Sequence, residues 1–134
     1  MERRASRPGA AVLAAFLAAI IAKCFLFDFV IVNGRSMLPA IRPGRVLLVN
    51  RLAYGLRLPG ADAYLCRWRL PRKGDVVIFI APGGSMAVKR CGGVDPASGR
   101  TFFALGDNDL ESYDSRSYGP VPADRIVGRV VGIK

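Results

Sequence analysis

The chain has 134 residues, with 20 Lys and Arg against 10 Asp and Glu and a formal net charge of +10. This length suits one compact domain. The sequence contains no histidine, which excludes Ser-His-Asp and Cys-His catalysis and removes histidine as a metal ligand. The cations are scattered along the chain and are not interleaved with aromatic residues, so we expect no nucleic-acid partner.

The cysteines argue against a structural zinc site. The three are Cys24, Cys66 and Cys91, and none of them forms a CxxC pair. Their odd number leaves at least one unpaired within the chain. Outside the cytosol, Cys66 and Cys91 could still form a disulfide.

The N-terminal segment predicts a membrane anchor. Residues 1–9 are basic, and residues 10–26 are apolar except for Lys23. These 17 residues are at the short end of what a membrane-spanning helix requires, and Lys23 could reach the interface with its ammonium group. Basic residues before the apolar run favour a cytoplasmic N-terminus, which would place residues 27–134 outside the cytoplasmic membrane.

Three alternatives to a membrane anchor are open. A cleavable signal peptide has similar charges and a similar apolar core, and residues 18–22 offer small side chains for cleavage. A lipoprotein signal ending at Cys24 is disfavoured because the bulky Lys23 precedes the cysteine. A buried helix of a soluble protein does not account for arginines placed just before the apolar run.

After Asp28 the pattern is that of short strands. FVIV, VLLV, VVIFI, FFAL and IVGRVVGI are rich in β-branched and aromatic residues, and turn signals such as RPG, RKGD and APGG separate them. This predicts a mostly-β fold, a compact, barrel-like antiparallel domain over residues 27–134. Residues 51–71 are expected to form an irregular excursion, in which Trp68 and two tyrosines cover the core or lie at the lipid headgroups.

Ser36, in the stretch NGRSMLP, has two interpretations. Serines near glycines are usually turn residues. As a nucleophile, Ser36 would need a base, and without histidine that base is a carboxylate or a neutral lysine. A lysine becomes neutral near pH 7 only when apolar burial lowers its pKa.

Lys89 is the best candidate for a buried lysine. Lys23 belongs to the apolar segment, Lys73 lies in the RKGD turn and Lys134 is at the C-terminus. Lys89 follows Ala87 and Val88 in a run of strand character. The alternative is an edge-strand lysine that discourages aggregation.

The acidic stretch GDNDLESYDSRSYG contains a candidate ion pair, Asp114 with Arg116, and a nearby hydroxyl, Ser112. Its alternating acidic residues resemble the start of a calcium loop. However, Ser112 and Tyr118 stand where an EF-hand requires glycine and glutamate, so we expect no calcium. A polar loop held together by its own side chains is the alternative interpretation.

In their order along the chain, these segments resemble those of bacterial type I signal peptidases. GRSMLP is similar to the SMxP nucleophile box, and RPGRVLLVNRLAYGLRLP to the segment that follows it. RKGDVVIF and AVKR resemble the next box and the lysine box. GDNDLESYDSRSYGPVPADRIVGRV resembles the final box, with GDN followed by SxDSRxxG. Each box alone is weak, but five in the right order are specific.

The resemblance implies roles for particular residues. Ser36 would be the nucleophile and Lys89 the general base, with Ser112 orienting the lysine amine. Asp114 and Arg116 would fix the last box near the site. The Ser36 N–H would donate to the oxyanion, whereas Gly34 stands where some members supply a second donor from a side chain. Apolar pocket positions for small substrate residues map onto Val30, Val32, Ile41 and Val88.

Three features depart from the family pattern. Asn33 replaces a residue that is often proline. Cys91, Gly92 and Gly93 replace a more usual apolar-Gly pattern. Only residues 90–105 separate Lys89 from the final box, whereas larger relatives insert a second β-domain there. The resemblance is therefore to a minimal form.

The sequence as a whole predicts a membrane-bound serine endopeptidase that uses a Ser-Lys dyad, with no metal and no organic cofactor. Its expected partners are exported preproteins, cut after Ala-x-Ala, and membrane phospholipid. Its expected location is the inner membrane, as a single-pass protein. The alternatives are a narrow-substrate maturation peptidase of the conjugation-pilin type and a non-catalytic, membrane-tethered β-domain that binds peptides.

Overall fold

The computed structural model describes residues 8–133. It contains one long helix, nine strands, one short helix and a 3-10 turn. The helices are α1 (Pro8–Leu26) and α2 (Ser115–Tyr118), and the 3-10 turn is Ala123–Arg125. The strands are β1 (Phe27–Ile31), β2 (Val46–Asn50), β3 (Gly55–Leu56), β4 (Cys66–Arg67), β5 (Val76–Ile80), β6 (Met86–Val94), β7 (Thr101–Leu105), β8 (Val121–Pro122) and β9 (Ile126–Val130).

Helix α1 leads directly into the first strand and is apolar on all sides. Pro8 is its first residue, a position where the missing N–H would have no helical partner in any case. None of its 19 residues is buried, and the mean hydropathy of its best 18-residue window is 2.3. By length and composition, α1 can cross a membrane. Most of the predicted basic segment, residues 1–7, lies outside the described residues.

Seven strands form one antiparallel sheet in the order β1-β2-β9-β5-β6-β7-β8. The sheet curls into a half-barrel, so the mostly-β, barrel-like prediction is confirmed. Strand β6 is the longest, with nine residues, and pairs with β5 on one side and β7 on the other. Lys89 pairs with Val77 of β5, and the pairing with β7 begins at the next residue, Arg90.

Strand β5 carries the core on both of its faces. Because side chains alternate along a strand, Val77 and Phe79 pack into one buried cluster. Val76 and Ile78 pack into a second one. A continuous apolar run, VVIFI, is what a strand covered on both sides requires. The second cluster includes Met37, so the residue next to the nucleophile candidate Ser36 is anchored in the core.

The excursion over residues 51–71 forms a small second sheet in which β3 pairs with β4. Tyr54 is buried and covers the first core cluster, whereas Trp68 is 56% exposed. Cys66 is exposed in β4 and Cys91 is buried in β6, and both are free thiols. No disulfide therefore joins them in this structure.

Candidate active site

Ser36 lies in the turn region between β1 and β2, and the loop after β7 holds this turn in place. The backbone N–H of Asn108 donates to the Ser36 carbonyl oxygen at 2.9 Å. The Asn108 side-chain Nδ2 donates to the Arg35 carbonyl oxygen at 3.1 Å. Two consecutive carbonyls of the Ser36 turn are thus bound by one residue of the final sequence box.

Lys89 lies on β6 opposite Val77 and is only 5% exposed. Its Nζ donates to Ser112 Oγ at 3.0 Å, and Ser112 Oγ donates to Asp114 Oδ2 at 2.6 Å. Burial lowers the pKa of Lys89; the Asp114 charge opposes this shift and the Arg116 charge adds to it. The amine is therefore easier to deprotonate than that of an exposed lysine.

Asp114 is fully buried and is the N-cap residue of α2. Its carboxylate accepts hydrogen bonds from Gly106 N at 2.8 Å and from Arg116 N and Nε at 3.0 Å each. Burial alone would raise the pKa of Asp114, but hydrogen bonds from Arg116, Ser112 and Gly106 hold it well below its usual range. An ionised carboxylate can only accept, so Ser112 must donate to Asp114 and keeps a lone pair for Lys89.

Gly106 brings the two halves of the site together because it has no side chain. A Cβ built there would lie 2.0 Å from Ser112 Oγ and 2.7 Å from the Ser36 carbonyl oxygen. Ser36 and Ser112 therefore approach the same backbone position from different parts of the chain. Any larger residue at position 106 would have to displace one of them.

Ser36 and Lys89 line one cavity of about 370 Å³. Its walls are residues 30–34, 36–37 and 86–89. Within the described part of the chain, the Ser36 hydroxyl makes no hydrogen bond to Lys89, so the two groups share a cavity without a direct bond. Of the predicted pocket residues, Val30, Val32 and Val88 line this cavity, whereas Ile41 is fully buried in the second core cluster.

Ser112, Asp114 and Arg116 were predicted from the sequence as site residues, but other residues of the same box were not. Asn108 and Gly106 contact the Ser36 turn, and Asp107 forms a two-bonded ion pair with Arg90 at 2.8 Å for each contact. The GDN triplet was the available signal, since it is part of the quoted box.

Within residues 8–133, no group of three or more acidic or cysteine side chains is placed to hold a metal.

A sequence model described as signal peptidase, peptidase S26, matches residues 6–99 and 97–133 of the chain. The chain belongs to the signal peptidase family. Membership confirms the resemblance inferred from the five boxes, and it assigns the chain to a class of proteases.

Relatives of different lengths support this membership. The signal peptidase I of Bacillus caldolyticus is 28% identical, over 81% of this chain and 79% of that protein. The signal peptidase I of Haemophilus influenzae is 34% identical, over 81% of this chain but only 29% of that protein. The mitochondrial ATP-independent inner membrane protease subunit 1b of Arabidopsis thaliana is 29% identical, over 83% of this chain and 77% of that protein. The chain therefore spans most of the short relatives and less than a third of the long one.

Proposed function

We propose that this protein is a membrane-bound serine endopeptidase that removes signal peptides from exported preproteins, with Ser36 as nucleophile and Lys89 as general base. The observation that carries the proposal is the buried Lys89, whose pKa is lowered and whose side chain lines the same cavity as Ser36. A binding module would need neither a nucleophile nor a neutral amine in its cavity.

The reaction begins with proton transfer from Ser36 to neutral Lys89. Ser36 Oγ attacks the scissile carbonyl, and the Ser36 N–H donates to the resulting oxyanion. The Lys89 ammonium then protonates the leaving amine, which leaves an acyl-enzyme on Ser36. In the second half, Lys89 activates a water that hydrolyses the ester. The Ser112 and Asp114 hydrogen bonds hold the amine in place throughout, and no step requires a metal or organic cofactor.

The cavity walls support selection of small substrate side chains. Val30, Val32 and Val88 present apolar surface to the cavity, and their branched side chains limit its size. Alanine at the −1 and −3 positions would fit such walls better than a large or charged residue. We therefore propose Ala-x-Ala as the preferred site, with Asn33 as a further wall residue that shapes the substrate strand.

The apolar helix α1 supports attachment to the cytoplasmic membrane. We propose the organisation expected from the sequence: a cytoplasmic segment 1–9, an anchor at 10–26 and an extracytoplasmic catalytic domain at 27–134. Strand β1 begins at the residue that follows α1, so the domain stays close to the phospholipid surface where signal peptides emerge. Confinement to one interface raises the effective concentration of enzyme and substrate.

The proposal is tested by cleavage of a preprotein with an Ala-x-Ala site by the detergent-solubilised protein. Wild type should cleave, whereas Ser36→Ala and Lys89→Ala should lose cleavage by at least about 10³-fold. Lys73→Ala is the matched control, because Lys73 lies in a turn outside this cavity. Cleavage that survives Ser36→Ala would contradict the mechanism. A panel varied at −1 and −3 separates a general signal peptidase from a narrow-substrate maturation peptidase.

A further inference from the structure

Asn108 binds both carbonyls that flank the backbone of the nucleophile, and the two bonds come from different atoms. Its backbone N–H donates to the Ser36 carbonyl, and its side-chain amide donates to the Arg35 carbonyl. The Arg35 carbonyl also accepts from Leu38 N at 3.2 Å, within the turn itself. The side chain of Asn108 therefore adds a contact from outside the turn.

The Arg35 carbonyl determines where the Ser36 N–H points. The peptide bond between them is trans, since the only cis bond of the described chain is Leu38–Pro39. In a planar trans peptide, the C=O and the following N–H point in opposite directions. A bond that fixes the Arg35 oxygen therefore also fixes the direction of the Ser36 N–H.

The Ser36 N–H is free to serve a ligand. Within residues 8–133 it donates to no acceptor of the protein, while Ser36 itself lines the cavity. A backbone donor without a partner beside a nucleophile is what an oxyanion site requires. Gly34, which also lines the cavity, offers no side-chain donor, so the direction of this one N–H matters more here.

We propose that the Asn108 side chain is a positioning residue for the oxyanion site, acting through the Arg35–Ser36 peptide plane. This inference rests on the proposed function. It assigns Asn108 no contact with substrate: its amide holds the peptide so that the Ser36 N–H is already directed at the oxyanion when the transition state forms. Preorganised donors of this kind act on the chemical step more than on binding.

The backbone bond of Asn108 allows the side chain to be tested separately. Asn108→Ala keeps the N–H that binds the Ser36 carbonyl, so the loop should stay docked. Asn108→Asp keeps the shape but places a carboxylate oxygen against the Arg35 carbonyl, which repels it. Asn50→Ala is the matched control, because the Asn50 side chain likewise makes one bond to backbone, accepting from Leu52 N at 2.9 Å, and Asn50 does not line the cavity of Ser36 and Lys89.

The experiment measures kcat and KM for preprotein cleavage in detergent, together with the melting temperature of each variant. Asn108→Ala should lower kcat by about 10- to 100-fold with little change in KM, and Asn108→Asp should lower it further. Asn50→Ala should match wild type. The pH dependence of kcat/KM should keep its midpoint in Asn108→Ala, since Lys89 is untouched.

A peptide aldehyde ending in alanine gives a second readout. It forms a tetrahedral hemiacetal with Ser36 Oγ, whose oxygen would occupy the oxyanion site, whereas the corresponding alcohol forms no such adduct. Asn108→Ala should weaken binding of the aldehyde about 10-fold relative to binding of the alcohol. Equal kcat and an equal aldehyde-to-alcohol ratio in wild type and Asn108→Ala would overturn the positioning role, as would a change confined to KM. Ser36→Ala, assayed in parallel, keeps the two proposals distinct: if it cleaves like wild type, it is the proposed function that fails.

Discussion

At the scale of single residues, the site depends on a chain of hydrogen bonds that runs from Lys89 through Ser112 to Asp114 and Arg116. Asp114 is buried and ionised, and Arg116 compensates its charge. Among residues 8–133, no carboxylate is hydrogen-bonded to the Lys89 amine; its partner is the neutral Ser112 hydroxyl. Burial can therefore lower the lysine pKa without a direct ion pair to restore it.

The lowered pKa of Lys89 makes stability depend on pH in a defined direction. Below the folded-state pKa, the buried amine is charged and its burial penalty is fully present. Between that pKa and the unfolded value of about 10.4, the unfolded chain binds more protons, so stability rises with pH. Lys89→Met should therefore be more stable relative to wild type at neutral pH than at pH 10, as measured by chemical denaturation at both values.

Activity should depend on the same group. Because only the neutral amine accepts a proton, kcat/KM should rise with pH to a plateau, with a midpoint below the ordinary lysine value of about 10.4. A rate independent of pH across this range would contradict the assignment. So would a stability advantage of Lys89→Met over wild type that grows toward pH 10.

Gly106 gives a steric test of the same site. Gly106→Ala should reduce cleavage by about 10²-fold or more, because its Cβ must displace Ser112 or the Ser36 turn. Gly83→Ala is the matched control, since a Cβ there meets no atom within 4 Å and its φ is not positive. Assaying both with one preprotein checks the prediction, and an active Gly106→Ala protein would show that the contact is not needed.

At the scale of elements, side chains alternate between the two faces of each strand, and this alternation decides which of them are buried. In β7, Phe102 is fully buried and packs edge-on against Phe79 with ring centroids 5.4 Å apart, whereas the adjacent Phe103 is 43% exposed. The same alternation in β6 sends Ala87 to the first core cluster and Val88 to the second. Lys89 follows these two residues on the same strand, and its side chain is buried.

This alternation predicts different costs for neighbouring substitutions. Phe102→Ala should lower the free energy of unfolding by about 3–5 kcal/mol, because it leaves a cavity beside Phe79. Phe103→Ala should cost about 1 kcal/mol or less, because its ring is already partly in solvent. Denaturant unfolding followed by circular dichroism compares the two. Similar losses for both would contradict the assigned faces of β7.

At the scale of the whole molecule, the helix and the β-domain are organised by different environments. None of the α1 residues is buried by the protein, whereas the sheet buries two apolar clusters of its own. The helix therefore needs an apolar environment from elsewhere, which the proposed membrane insertion would supply. The cysteines provide a label for each part: Cys24 in the helix and Cys66 on the domain surface are exposed, and Cys91 is buried.

The proposed orientation predicts where Cys66 can be labelled. In a Cys24→Ser background, a membrane-impermeant maleimide should label Cys66 in intact spheroplasts as fully as in lysed cells. Cys66→Ser should abolish the label, because Cys91 is shielded by the core. Labelling that appears only after lysis would reverse the orientation and exclude direct access to exported preproteins.

The sequence by itself determined the fold class, the apolar helix and the family. Alternation, turn residues and the Arg-then-apolar order are local patterns, so neighbouring residues suffice to read them. The resemblance of the ordered boxes implied Ser36 and Lys89 as candidates, and the absence of histidine separately left few other bases. The same patterns could not say whether Lys89 was a buried base or an edge-strand lysine.

Only the tertiary structure decided that Lys89 is buried and which residues surround Ser36. Lys89 pairs with Val77 of β5 and its amine meets Ser112 from the loop after β7, contacts between distant segments that no local pattern contains. Asn108 and Gly106 reach the Ser36 turn across more than sixty residues of sequence, through contacts that form only when the sheet has curled. Ile41 was expected in the pocket, yet it packs in the core. Burial and approach between distant segments are set by the packing of the whole chain, which is why they had to be seen in three dimensions.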